Sequence, residues 1–134
     1  MKKLNCVVLI EDDMVTNFLN KNLIETMEVC EEILTFKNGQ EALTFFTDGS
    51  SEKKSSIDLI FLDLNMPIMD GYTFMHHYNQ LEDKVKTAKI VALIAENTEK
   101  PASEIANQLK VHDHFSKPIT KEKFLLILDK HFSN

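Results

Sequence analysis

At 134 residues, with 43% hydrophobic and 27% charged side chains, the chain suits a single domain that buries roughly two-thirds of its unfolded surface, and this balance excludes disorder. Fifteen basic against 21 acidic residues leave a net charge of −6, which argues against direct binding to nucleic acid or to an anionic membrane and favours protein partners. No apolar run reaches bilayer length, and the opening MKKLNCVVLIEDD turns acidic too early for a signal peptide, so the expected location is the cytoplasm.

The run NCVVLI (5–10) is short, continuous and β-branched, as expected of a strand covered on both faces. Over 14–28, Phe18, Leu19, Leu23, Ile24 and Met27 recur at helical spacing. EILTF (32–36) reads as a second strand, and NGQEALTFF (38–46) as a turn opening into a helix. The small polar stretch 47–56 is expected to be a flexible surface loop. IDLIFLDL (57–64) is a third strand and YTFMHHYNQL (72–81) a helix. KIVALIA (89–95) is a fourth strand, followed by a helix around 98–110 with Pro101 in its first turn, where a missing N–H does little harm. VHDHFSKP (111–118) makes the fifth strand and its exit, and KEKFLLILDKHF (121–132) a closing amphipathic helix. Cys6 and Cys30 each lie in apolar segments, where a free cysteine packs as a small hydrophobe.

Five strand–helix units with connections too long for hairpins imply an α/β fold, a parallel sheet with helices on both faces. Right-handed crossovers then favour the doubly wound, flavodoxin-like order 2-1-3-4-5 over a core of about 4–132. In that order the crevice between strands 1 and 3 collects Glu11, Asp12 and Asp13 from one strand end and Asp63 from the other. Carboxylates so close require a raised pKa or a neutralising cation, and Mg²⁺ suits a site with few protein ligands. Capping of the first helix accounts for Asp12 or Asp13 but not for Asp63, which precedes a loop. Lys117, at the exit of strand 5, is an ordinary surface residue by itself; opposite an acid cluster it could bind one phosphoryl oxygen as a point charge.

Taken together, IEDD after strand 1, NGQEAL opening helix 2, DLNMPIMDG after strand 3 and KP after strand 5 resemble the receiver domain of two-component response regulators. The resemblance implies that Asp63 accepts a phosphoryl group from a sensor histidine kinase or a histidine phosphotransfer protein. It also implies that Glu11 and Asp12 form the acidic pair around Mg²⁺, that Asn65 gives the metal its backbone carbonyl, and that Lys117 contacts the phosphoryl oxygens. Pro118 matches a proline often preceded by a cis bond in that family. Three consecutive acids permit a one-residue slip; a helix with Leu19, Leu23 and Ile24 inward selects Glu11 and Asp12 as the pair and leaves Asp13 as a helix-start residue.

Two positions depart from the family pattern. Ile94 stands where a Ser or Thr hydroxyl is usual, and His114 where an aromatic switch residue is usual. His112, two residues before His114, would share its face by strand alternation. A chain that stops at Asn134 is expected to be a stand-alone switch, monomeric or dimerising on phosphorylation, whose signal passes through protein contacts, first of all on the face of helix 4, strand 5 and helix 5. Its only chemistry would be its own phosphorylation and dephosphorylation. A phosphoaspartate-forming phosphatase would need a second Asp two residues after Asp63, where this chain has Asn65. A phosphorylation-independent binding module, motivated by Ile94 and His114, is the other alternative.

Overall fold

In a computed structural model of the protein, the described residues are 3–48, 54, 56–96 and 98–133. They form strands β1 (Leu4–Ile10), β2 (Cys30–Phe36), β3 (Ile57–Asp63), β4 (Lys89–Ile94) and β5 (Asp113–Ser116). These alternate with helices α1 (Met14–Met27), α2 (Gly39–Thr47), α3 (Gly71–Tyr78), α4 (Ala102–Leu109) and α5 (Lys121–Phe132). All pairings are parallel, in the order β2-β1-β3-β4-β5. The expected topology is the observed one. Most of the stretch 47–56, expected to be a flexible loop, lies outside the described residues.

The central strands are apolar along nearly their whole length because both sheet faces are covered. On one face Val8, Ile10, Ile60 and Leu62 pack with Phe46, Phe74 and Ile105 from α2, α3 and α4. On the other, Val7, Leu9, Leu59 and Phe61 pack with Ile24 of α1 and Phe124, Ile127 and Leu128 of α5. Cys6 is buried and Cys30 half-buried. Alternate residues of Cys6–Ile10, Leu59–Leu62 and Ile90–Ile94 thus serve two separate cores, which holds the register, since a one-residue slip would exchange the two sets.

Local signals place the helix starts. Asp13, Asn38, Asp70 and Thr120 stand at N-cap positions, and each side chain accepts a backbone N–H from the first turn. Pro101 lies one residue before α4 rather than inside its first turn, and the helix begins at Ala102, not near 98. β2 starts two residues earlier than its β-branched core suggests, because Cys30 pairs with Leu4 of the neighbouring strand.

One expectation about α1 fails. Leu19, expected inward, is 58% exposed, while Leu23 is half-buried and Ile24 is buried. The inward positions of the first two turns belong to Thr16 and Asn20, which line a polar crevice at the carboxyl edge of the sheet. Facing that crevice instead of the apolar core, the start of α1 turns Met14, Val15, Phe18 and Leu19 to solvent.

Candidate functional site

Strand register brings distant acids level. Ile10 of β1 pairs with Leu62 of β3, so the next residues, Glu11 and Asp63, arrive together at the carboxyl edge. On the other side Asp63 pairs with Leu93, and Ile94 with Ser116, so Lys117 leaves β5 at the same level. The result is a crevice of about 390 Å³ lined by Glu11, Asp12, Asp63, Asn65, Lys117 and Pro118, with Thr16 and Asn20 on the α1 side.

Asp63 is 1% exposed. Lys117 Nζ lies 2.5 Å from Asp63 Oδ1 and 3.8 Å from Glu11 Oε1. The amide of Asn65 also reaches Asp63 Oδ1, at 3.4 Å. Asp63 Oδ2 is buried and, with Glu11 ionised, has no hydrogen-bond donor among the described residues. Glu11, Asp12 and Asp63 each offer an oxygen, all within 4.8 Å of one another. An unpartnered buried oxygen facing two further carboxylates fits a hard divalent cation, because such a cation takes oxygen ligands and offsets charge that protein donors leave unmatched.

The electrostatics follow from burial. Removal from water, then the bond to Asp63 and its negative charge, push the Glu11 carboxyl up to about 8, with Lys117 opposing. For Lys117 burial disfavours the ammonium, but the bond to Asp63 and the nearby charges of Asp63, Glu11 and Asp12 outweigh it and raise its pKa. Without a bound cation the site therefore favours the protonated form of Glu11 and the charged form of Lys117.

Asp13 lines the same crevice, but its carboxylate is engaged by the start of α1. Its Oδ2 accepts from the Thr16 hydroxyl at 2.7 Å and its Oδ1 from the Val15 amide at 3.1 Å, which together hold its carboxyl below the ordinary range. Its own amide reaches Glu11 Oε2 at 3.3 Å, orienting that carboxylate. Asn17 Nδ2 donates to the Glu11 carbonyl at 2.6 Å, fixing the backbone turn between β1 and α1.

The loop after Asp63 is packed too closely for most residues to join it. A Cβ on Gly71 would meet the Asp63 carbonyl oxygen at 2.6 Å and Leu64 Cα at 2.8 Å. A Cβ on Gly39 would meet the Met69 carbonyl oxygen at 2.8 Å, the atom that accepts the Gly39 amide. Two glycines from different segments thus clamp 64–70 beside the acid. Within it Ile68 has φ 68°, the left-handed region that a β-branched residue rarely enters, and is 82% exposed.

Lys117–Pro118 is a cis peptide bond. Neither Ile94 nor His114 lines the crevice. Ile94 is 3% exposed and packs in the core with Ile105 and Leu109 of α4; its carbonyl accepts the Lys117 amide at 3.1 Å. His114 is half-buried in β5, opposite Ala92. His112 precedes β5, and its Nδ1 accepts the Ile90 amide at 2.9 Å, so its ring caps the edge of β4 instead of joining His114 as a ligand. Thr16, Asn20 and Lys123, which lies behind the Lys117 turn, escaped the sequence reading. The first two carried a signal, polar residues at helical spacing from Asp13; Lys123 carried none.

Comparison with known proteins agrees with this architecture. The response regulator receiver domain family matches residues 7–129. Two-component response regulator 24 of Arabidopsis thaliana is 27% identical over 128 residues, covering 96% of this chain and 84% of that protein. A two component response regulator from Cytophaga hutchinsonii superposes with a TM-score of 0.84 at 23% identity, over 99% of this chain and 100% of that one. The receiver domain of Saccharomyces cerevisiae Ssk1, solved with the histidine phosphotransfer protein Ypd1, superposes with a TM-score of 0.78 at 20% identity, over 98% and 90%. No helix among the described residues is long and apolar enough to cross a membrane. The chain belongs to the response regulator receiver family, the phosphoacceptor domains of two-component systems.

Proposed function

We propose that Asp63 is the phosphoacceptor of this switch and takes its phosphoryl group from the phosphohistidine of a sensor histidine kinase or a histidine phosphotransfer protein. The observation that carries this reading is the aspartate itself. It is buried at a strand end, with one oxygen on Lys117 and the other facing the acid cluster, without a donor once Glu11 is ionised. In the transfer, an Asp63 oxygen forms the new P–O bond as the donor's P–N bond breaks, and the leaving imidazole keeps that electron pair. Lys117 neutralises a phosphoryl oxygen, which offsets the repulsion between two anions.

Glu11, Asp12 and Asp63, with the backbone carbonyl of Asn65 beside them, are the residues that would hold Mg²⁺. Bound there, the ion supplies further charge neutralisation for the transferring group. The raised pKa of Glu11 supports this assignment, since a carboxyl that cannot ionise cheaply by itself gains most from a cation.

On the solvent side of α1 the exposed side chains of Met14, Val15 and Phe18 offer a protein donor an apolar surface. In the Ssk1 complex the partner is a histidine phosphotransfer protein, a donor of the class proposed for this chain. Output passes through contacts on the face of α4, β5 and α5, where Leu126 is 59% exposed. Residues 4–132 act as one cytoplasmic receiver unit whose only chemistry is to gain and lose the phosphoryl group on Asp63.

The test is incubation with Mg²⁺ and acetyl phosphate, followed by intact mass. Wild type should gain one phosphoryl group and Asp63→Asn none. An Asp63→Asn protein that gains as much as wild type places the acceptor elsewhere. No gain in wild type, either from acetyl phosphate or from a histidine kinase, leaves a phosphorylation-independent binding module.

A further inference from the structure

The turn that carries Lys117 is held by a second lysine. Lys123 lies in the first turn of α5, and its Nζ is 2.8 Å from the Ser116 carbonyl oxygen, 3.3 Å from Ser116 Oγ and 2.9 Å from the Pro118 carbonyl oxygen. An ammonium has three N–H donors, and here three acceptors from the residues on either side of Lys117 match them. Charge-assisted bonds of this kind are about twice as strong as neutral ones.

The helix that presents Lys123 is anchored. Its amide donates to Thr120 Oγ1 at 3.2 Å and the Phe124 amide to the Thr120 carbonyl at 2.9 Å. Phe124 is fully buried against Phe61 of β3, with ring centroids 5.6 Å apart. From β4, the Ile94 carbonyl fixes the Lys117 amide. The backbone of Lys117 is thus held by the sheet on one side and by Lys123 on the other, and its own side chain is left one anchored direction, toward Asp63.

We propose that Lys123 is a positioning residue for phosphoryl transfer. By bridging Ser116 and Pro118 it places the Lys117 ammonium at Asp63 before a donor arrives. This rests on the reading of Asp63 as phosphoacceptor, and the experiment separates the two. A misplacement of about 1 Å in a reacting group can cost on the order of 100-fold in rate, and a loosened but tethered Lys117 should lose less, about tenfold.

The measurement is the initial rate of phosphorylation by acetyl phosphate in the full chain, across a series of Mg²⁺ concentrations. Lys123→Met should slow it about tenfold, with the half-saturating Mg²⁺ concentration unchanged because the acid cluster is untouched. Lys123→Arg, which keeps a cation and several donors, should recover most of the rate. In a double-variant cycle, Lys117→Met with Lys123→Met should be no slower than Lys117→Met alone, since Lys123 acts through Lys117. A rate unchanged in Lys123→Met overturns the proposal; so do losses that multiply in the double variant, or a rate loss accompanied by an equal loss of Mg²⁺ affinity. Should Lys123→Met not fold, Lys123→Gln enters the same cycle, its side chain short of the second carbonyl. If wild type gains no phosphoryl group, or Asp63→Asn gains one, the failure belongs to the reading of Asp63 and not to Lys123.

Discussion

Two neighbouring stretches of one sheet edge differ sharply. At the ends of β1, β3 and β5, three carboxylates, Glu11, Asp12 and Asp63, and one ammonium, Lys117, meet in one crevice. In β4 and β5 beside it, Ile94 packs into the core and His114 sits half-buried, neither of them in the crevice. The difference reflects what each region must do. Charge neutralisation at a transferring phosphoryl group admits few residue types, whereas a conformational readout needs only some element whose packing the new charge can bias. Position 94 offers no hydroxyl to the crevice, whereas Lys117 and its turn border it directly.

The largest effect that could break this contrast belongs to Gly71. Gly71→Ala forces a Cβ into the Asp63 carbonyl and Leu64 Cα, which should cost about 3 kcal/mol and slow phosphorylation as well, because the backbone of the acceptor must shift. Urea melts and the acetyl phosphate assay read the two together. A fully stable, fully active Gly71→Ala protein means the loop yields without disturbing the acid, and the site is less tightly built than its geometry implies.

A second effect comes from Glu11. Its carboxyl is raised from 4.5 to about 8, so the folded protein holds a proton that the unfolded chain releases over that interval. The associated stability is present in full below pH 4.5 and is lost as pH rises through about 8. Cation-free protein should melt at lower temperature as pH rises across this window. Glu11→Gln should flatten that slope, and Mg²⁺ should raise the melting temperature most at the alkaline end. Parallel pH profiles for wild type and Glu11→Gln would mean that burial does not load a proton onto the site.

On the other side of the contrast, Ile94→Thr should cost about 2 kcal/mol, from lost apolar contacts and a hydroxyl placed in the core, while the phosphorylation rate of Asp63 stays at the wild-type value. A slower rate with unchanged stability would join Ile94 to the chemistry and erase the distinction. The smallest effect is expected at Ile68. Replacing this β-branched residue at φ 68° with Asn, which enters the left-handed region more readily, should stabilise by about 1 kcal/mol. A lower melting temperature for Ile68→Asn would show that the exposed isoleucine makes contacts that outweigh its backbone strain.

Much of this was legible from residue order. The alternation of short apolar runs with helical periods marks a doubly wound parallel sheet, for which the observed order 2-1-3-4-5 is one of the common solutions, and the turn chemistry of DLNMPIMDG marks the loop after Asp63. Asp13 reads as a helix start from its position before an apolar helix, and it caps α1. Leu19 shows where such reading stops. Period alone marks it as inward, but the inner face of α1 meets a polar crevice there, and which surface a helix meets is a matter of neighbours far away in the chain. Lys123 is the stronger case, since nothing in KEKFLL distinguishes a lysine on a solvated face from one that bridges a turn five to seven residues earlier in the chain.

The sequence by itself determined the element types, the parallel sheet and the arrival of an acid at the end of its third strand, because backbone propensity and hydrophobic period act over a few residues. Only the tertiary structure decided that Glu11 would come level with Asp63 in a buried site that raises its pKa, that Gly71 could carry no side chain, and that Lys123 would grip both sides of Lys117. Register, dielectric environment and close approach depend on pairs of residues tens of positions apart, and those distances exist only once the chain has packed.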